Sequence, residues 1–256
     1  SYERYFGHVR VADSLALVIG SVVGGLIAST WSLRTPYFVT IPFSLAAIIA
    51  LIFFKEPKLH KQINPGTMLD HIKDTFSASL RNRKLLPIVL SSILVSTLMY
   101  VVFEFSQLWL IALALPVVLF GPINALVLST IGTGGWLASS LKIRRKNRML
   151  IGFIITLFAC LGLAIFRNPT LIVACLFVVS VFLVAIGVVF SKLLHDGLHS
   201  RVRAGAASTV STVGRIIIIP FSLIFGSVSS NSSVFKASWM LVGMTILLGG
   251  FLFWSY

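Results

Sequence analysis

Eight apolar stretches occupy most of this 256-residue chain and constrain it more than any motif does. They run over 11–31, 35–54, 86–110, 117–141, 149–166, 170–194, 206–229 and 234–255. A helix needs about 20 apolar residues to cross the hydrocarbon of a bilayer. The other spanning structure is a barrel, whose strands are about ten residues of alternating character. The runs LAAIIALIFF and VACLFVVSVFLVAIGVVF do not alternate. Charged residues are 11% of the chain, against about a quarter in a soluble domain. The expected class is an all-α integral membrane protein with eight transmembrane helices. Polar groups inside the spans are then the ones that need explaining.

Charge sorts these spans. Lys and Arg gather in cytoplasmic loops. One set of segments holds Arg4 and Arg10, a dense run from Lys55 to Lys84, another from Lys142 to Arg148, and Lys192, Arg201 and Arg203. The alternate set holds Arg34, Arg167 and Lys236. Both termini are therefore expected in the cytoplasm, in a multi-pass protein of the cell membrane. The net charge of +14 would suggest nucleic acid in a soluble protein. Here its one-sided placement points to an anionic inner leaflet instead, and no nucleic-acid partner is expected. Cys160 and Cys175 lie within apolar runs and read as small hydrophobes, not as a disulfide or metal pair. No cofactor is expected, and no G-x-x-x-x-G-K-[ST] loop is present to couple transport to ATP in this chain.

The longest break between spans, 55–85, divides the chain into 1–54, a linker, and 86–256. Met68, Leu69, Ile72, Phe76 and Leu80 in the linker follow helical spacing after a Thr67/Asp70 capping pair. They suggest an amphipathic helix, either lying on the inner membrane surface or packed on the end of the bundle. Small residues mark close helix contacts in membranes. Gly20, Gly24 and Gly25 supply them in the first span, and Gly132, Gly134 and Gly135 in the fourth.

These pieces resemble the major facilitator superfamily of transporters. GSVVGG is similar to the glycine-rich fifth-helix motif of its drug-efflux branch, without the proline often found there. FKEP closes a sixth helix as in many members. FEFSQLWLIALALPVVLFGPINAL is similar to the seventh-to-eighth-helix region. GWLASSLKIRRKNRML resembles the family's loop motif, with Gly135, Leu137, Ala138, Arg144 and Arg145 in place and Ser139 where an Asp is usual. RAGAASTVSTVGR resembles the start of an eleventh helix. The resemblance implies helices five to twelve of twelve: 1–54 as the last two helices of an amino-terminal bundle, 55–85 as the cytoplasmic linker, and 86–256 as a complete six-helix bundle. Helices one to four would belong to the full-length protein, of which this chain would be a piece. The resemblance also implies that the loop after the eighth helix packs near the start of the fifth. Asp13 is then expected close to Arg144 or Arg145, as an inner gate. The local alternative is a pair with Arg10.

Glu104 is the sharpest polar signal. An ionised carboxylate at mid-membrane costs about 2.5–3.5 kcal/mol on translocon scales, so it faces a cavity or a partner. Tyr100, Glu104 and Gln107 share one helical face, with Phe103 beside them. That face suits an amphiphilic or cationic small molecule, and a carboxyl there can also carry a proton. A structural hydrogen-bonded Glu near the outer mouth is the alternative. Arg215, ten residues into its span, either lines the cavity and attracts an anionic group or snorkels to the inner headgroups. Asn124, beside Pro122, either marks a bent cavity-facing segment or makes a helix–helix hydrogen bond. His195, Asp196 and His199 are too few for a metal site. The expected function is secondary active transport by alternating access, with proton-coupled efflux of small amphiphilic molecules. A non-transporting fragment or scaffold, or a membrane enzyme built near HDGLH, are the readings that compete with it. The inside-positive bias predicts that cysteines placed at Asn168 and Ser232 react with an impermeant thiol reagent from outside and one at Asn147 does not; the reverse labelling would overturn this topology.

Overall fold

The computed structural model describes residues 2–54, 85–140, 146–197 and 200–254. These form α1 (Tyr2–Thr30), α2 (Thr35–Ile52), α3 (Leu86–Ala112), α4 (Phe120–Ser140), α5 (Lys146–Ile165), α6 (Pro169–Asp196), α7 (Ser200–Asn231) and α8 (Val234–Trp254), with a 3-10 turn at Val117–Leu119 before α4. Each expected span coincides with one helix. Two helices begin earlier than hydropathy indicates, α1 at Tyr2 and α7 at Ser200. Their first turns are polar, and a helix leaving the bilayer keeps its hydrogen bonds without needing apolar side chains. Among the described residues, seven helices are long and apolar enough to cross a membrane, and the apolar part of α1, Leu15–Thr30, is shorter than these. The amphipathic helix expected within 55–85 lies outside the described residues.

Chain ends of the helices follow from local chemistry. Asn168 is in extended conformation before α6, and its Oδ1 accepts from the Thr170 and Leu171 amides. Pro169 follows at the first helical position, where no amide is needed. Arg167 closes the preceding helix: its Nη1 donates to the carbonyls of Ala164, Ile165 and Phe166 at 2.9, 3.0 and 2.9 Å. The same guanidinium lies 3.7 Å from the centroid of the Phe235 ring. At the end of α3, Leu115 N–H bonds to Leu110 O and Ala114 N–H to Ile111 O. This is the paired closure that places its penultimate residue in the left-handed region, and Ala114 has φ 52°.

The core lies within α3–α8. On α6 the buried residues Ile172, Leu176, Val179, Leu183, Ile186 and Phe190 repeat every three or four positions and form an inward seam. Around α6 pack α3, α4 and α5; α3 also meets α7 and α8, and α5 meets α8. Lipid tails are as apolar as leucine, so shape and hydrogen bonding must hold such helices together. Gly134 of α4 shows the first: a Cβ there would stand 2.7 Å from both the Val181 carbonyl oxygen and the Val184 Cβ. Trp109 shows the second, with its buried indole N–H donating to Leu163 O at 3.2 Å across α3 and α5. By contrast, among the described residues α2 contacts only α1 and buries no residue.

Ala114→Gly should raise the unfolding midpoint in detergent, by about 1 kcal/mol, because glycine adopts positive φ without the Cβ penalty. Ala114→Val should lower it. An unchanged midpoint in both would mean that the turn carries no strain.

Candidate functional site

The polar face of α3 meets different neighbours at different depths. Tyr100 lines a hollow of about 510 Å³ between α3 and α7, with Phe105, Ile218, Ile219, Ser222, Leu223, Gly226 and Ser227. Gln107 lines another, of about 220 Å³, with Ser21, Gly20, Gly24, Gly25, Tyr37, Gly121 and Asn124 among its walls. Seven residues of helix separate Tyr100 from Gln107, roughly 10 Å along the axis. They share a face, but the structure does not bring them into one cavity. Glu104 lies between them, exposed. It lines neither hollow. Phe103 is half-buried and packs on the core, so it stands apart from the polar stripe.

Arg215 is exposed on α7, one helical turn before Ile218 and Ile219. Gly214 approaches Ser96, whose Oγ lies 3.7 Å from a Cβ built there, and Phe105 stacks edge-on against Phe225 at 5.5 Å. α3 and α7 therefore run in the same direction, with Arg215 near the level of Ser96. Glu104 is then about 10 Å farther along that direction. Neither charge lines the larger hollow: Arg215 stands about one turn before its first α7 residue, and Glu104 stands on α3 between its lining residues Tyr100 and Phe105.

Asn124 makes the helix–helix hydrogen bond. Its Nδ2 donates to Ser21 Oγ at 2.8 Å, and Ser21 Oγ donates to Gly121 O at 3.3 Å. Directly beside this pair, α1 and α4 touch backbone to backbone. A Cβ on Gly25 would stand 2.5 Å from Gly121 Cα, and one on Gly121 would stand 2.6 Å from Ser21 O. The other glycines expected at close contacts are not used that way. Gly20, Gly24, Gly132 and Gly135 have nothing within 4 Å of an added Cβ. On a helix only one narrow face meets a given partner, and these four lie off it; Gly20 and Gly24 line the smaller hollow instead. Sequence reasoning missed Gly121, Ser21 and Ser222. Gly121 carried a signal, since it stands between Phe120 and Pro122 where small size is otherwise unexplained. The Asp13 side chain, Arg144 and Arg145 lie outside the described residues, as does His199.

Gly121→Ala should destabilise the protein by about 1–3 kcal/mol, since backbone rather than a flexible side chain must move. Asn124→Leu should cost about 1 kcal/mol. Combined, the losses should fall short of their sum because both loosen one interface. Strict additivity in detergent unfolding would assign them to separate contacts.

A family model described as Major Facilitator Superfamily matches residues 2–221. No curated protein matches the chain. The family match spans α1 to α6 and most of α7, including the smaller hollow and the larger one apart from Ser222, Leu223, Gly226 and Ser227. With its apolar helices and this match over most of its length, the chain is a multi-pass membrane protein that belongs to the major facilitator superfamily of transporters.

Proposed function

We propose that the protein is a secondary active transporter that exports small amphiphilic molecules in exchange for protons. The observation that carries the reading is Glu104: a carboxylate well inside the apolar helix α3, exposed rather than packed, one turn along the same helix face from Tyr100, which lines a hollow of about 510 Å³. Sites for drug-sized molecules have volumes of about 300–1,000 Å³ with apolar walls and few polar groups. A proton-coupled carrier needs a group that loses and regains charge within the membrane. Glu104 is that group in this reading, and Tyr100 and Arg215 complete the surroundings of the substrate. Gln107 and Asn124 line the neighbouring polar chamber.

Alternating access fits the arrangement of contacts. Beyond its contact with α2, α1 meets the other described helices only at α4 and the 3-10 turn before it. In the proposed cycle 1–54 moves with the amino-terminal bundle, 86–256 moves as the other, and 55–85 links them on the cytoplasmic side. Two bodies meeting through a narrow interface can rock about a shared site. Asp13 with Arg144 or Arg145 forms the inner gate in this scheme.

Glu104→Gln keeps shape and hydrogen bonding but cannot ionise. In vesicles containing the protein, it should reduce export driven by a pH gradient at least tenfold while leaving substrate exchange without a gradient measurable. Glu104→Asp should retain part of the driven activity. Normal gradient-driven export by Glu104→Gln would place proton coupling elsewhere.

A further inference from the structure

The apolar helices of this protein satisfy most of their buried hydroxyls on their own backbone carbonyls. Thr97, Thr156, Ser180, Ser238 and Thr245 each donate to the carbonyl four residues earlier, at 2.7–2.9 Å. This back-bond is the local solution for a hydroxyl that cannot reach water. Ser106 and Thr130 reach the carbonyl three residues earlier instead, whereas the Oγ atoms of Ser91 and Ser222 are, among the described residues, buried without a hydrogen-bond partner. Ser91 is fully buried. Ser222 is different, because it forms part of the wall of the larger hollow.

Three further observations converge there. Pro220 stands inside α7 in the same turn, so the helix lacks one amide donor at that point. Tyr100 faces the hollow from α3 and is 40% exposed, which leaves its phenol available. The remaining walls are apolar or small, with Phe105, Ile218, Ile219 and Leu223 as their large side chains. An unpartnered hydroxyl in such surroundings is costly, and a ligand group that completes it recovers that cost.

We propose that Ser222 is a specificity-determining residue of this hollow, donating its hydroxyl to a neutral acceptor (a ketone, ether or amide oxygen) on a flat or branched apolar ligand. Rotation about χ1 turns the Oγ toward the hollow, while the ligand body packs against Phe105 and Leu223. Tyr100 supplies a second polar contact at the opposite wall. This deepens the transport reading and rests on it only for the fate of the ligand, not for its binding.

The test uses acetylnaphthalene, which carries a carbonyl acceptor, and ethylnaphthalene, which has nearly the same size without one. Equilibrium dialysis of each against the protein in lipid nanodiscs, corrected with empty nanodiscs, measures binding apart from partition into lipid. The unsubstituted protein should prefer acetylnaphthalene by about fivefold, the scale of one hydrogen bond. Ser222→Ala should abolish that preference and leave ethylnaphthalene binding unchanged. Ser222→Thr, which keeps the hydroxyl, should restore it. Equal binding of both probes by the unsubstituted protein, or a preference that survives Ser222→Ala, would overturn the assignment and leave an apolar groove of the kind lipid chains fill. A Ser222-dependent preference together with absent gradient-driven export would sustain this site and sink the transport reading alone.

Discussion

The contact of Gly25 with Gly121 is the constraint on which the placement of the first two helices depends. Among the described residues, α2 touches α1 alone, and α1 reaches the α3–α8 bundle only through α4 and the turn before it. At that crossing the two backbones meet with no room for a Cβ on either glycine. Dispersion forces fall steeply with separation, so a small gap forfeits much of the attraction. Water is absent from the hydrocarbon and gives no hydrophobic drive to replace it. The Ser21–Asn124 bond alongside fixes register, since sliding by a residue would strand both polar groups in an apolar interface.

The α3–α8 bundle rests on a different principle. Its helices interlock through a broad seam centred on α6, with the largest buried side chains distributed across several partners. The Trp109 indole reaches across to the Leu163 carbonyl and stands within an aromatic group that includes Phe225 and Phe105. One wall of the larger hollow is therefore continuous with the core. A rigid wall of this kind holds a ligand without itself having to be ordered on binding. The smaller hollow has walls from both sides of the glycine crossing and changes shape whenever that crossing moves.

Helix positions were legible because the hydrocarbon imposes a length and an apolar composition that a sequence cannot conceal. Ends were less so at Tyr2 and Ser200, where the helix continues into polar surroundings that hydropathy does not mark. Glu104, Arg215 and Asn124 stood out because charge and amide groups are costly within a span. Their neighbours did not. That Tyr100 would face α7 and Gln107 would face α1 and α4 depends on where other helices stand, which a helical wheel does not contain. Ser222 was hidden for the opposite reason: a serine in an apolar helix ordinarily satisfies itself by a back-bond, so nothing in its type distinguishes it from Ser180 or Ser238. Among the glycines, spacing alone marked several small residues where the interface uses few of them.

Arg167 separates two meanings of a positive charge. During insertion a loop is sorted by how many cations it carries, and Arg167 counts against an outer location as fully as any other. In the folded protein its guanidinium is engaged by three carbonyl oxygens at the end of α5 and by the face of Phe235. The negative end of the helix dipole and the ring quadrupole both offset its charge. A lysine there would carry the same sorting signal through the translocon, yet it lacks the planar group that stacks on the ring while reaching the helix end. The identity of this cation thus belongs to folding, and only its sign belongs to topology.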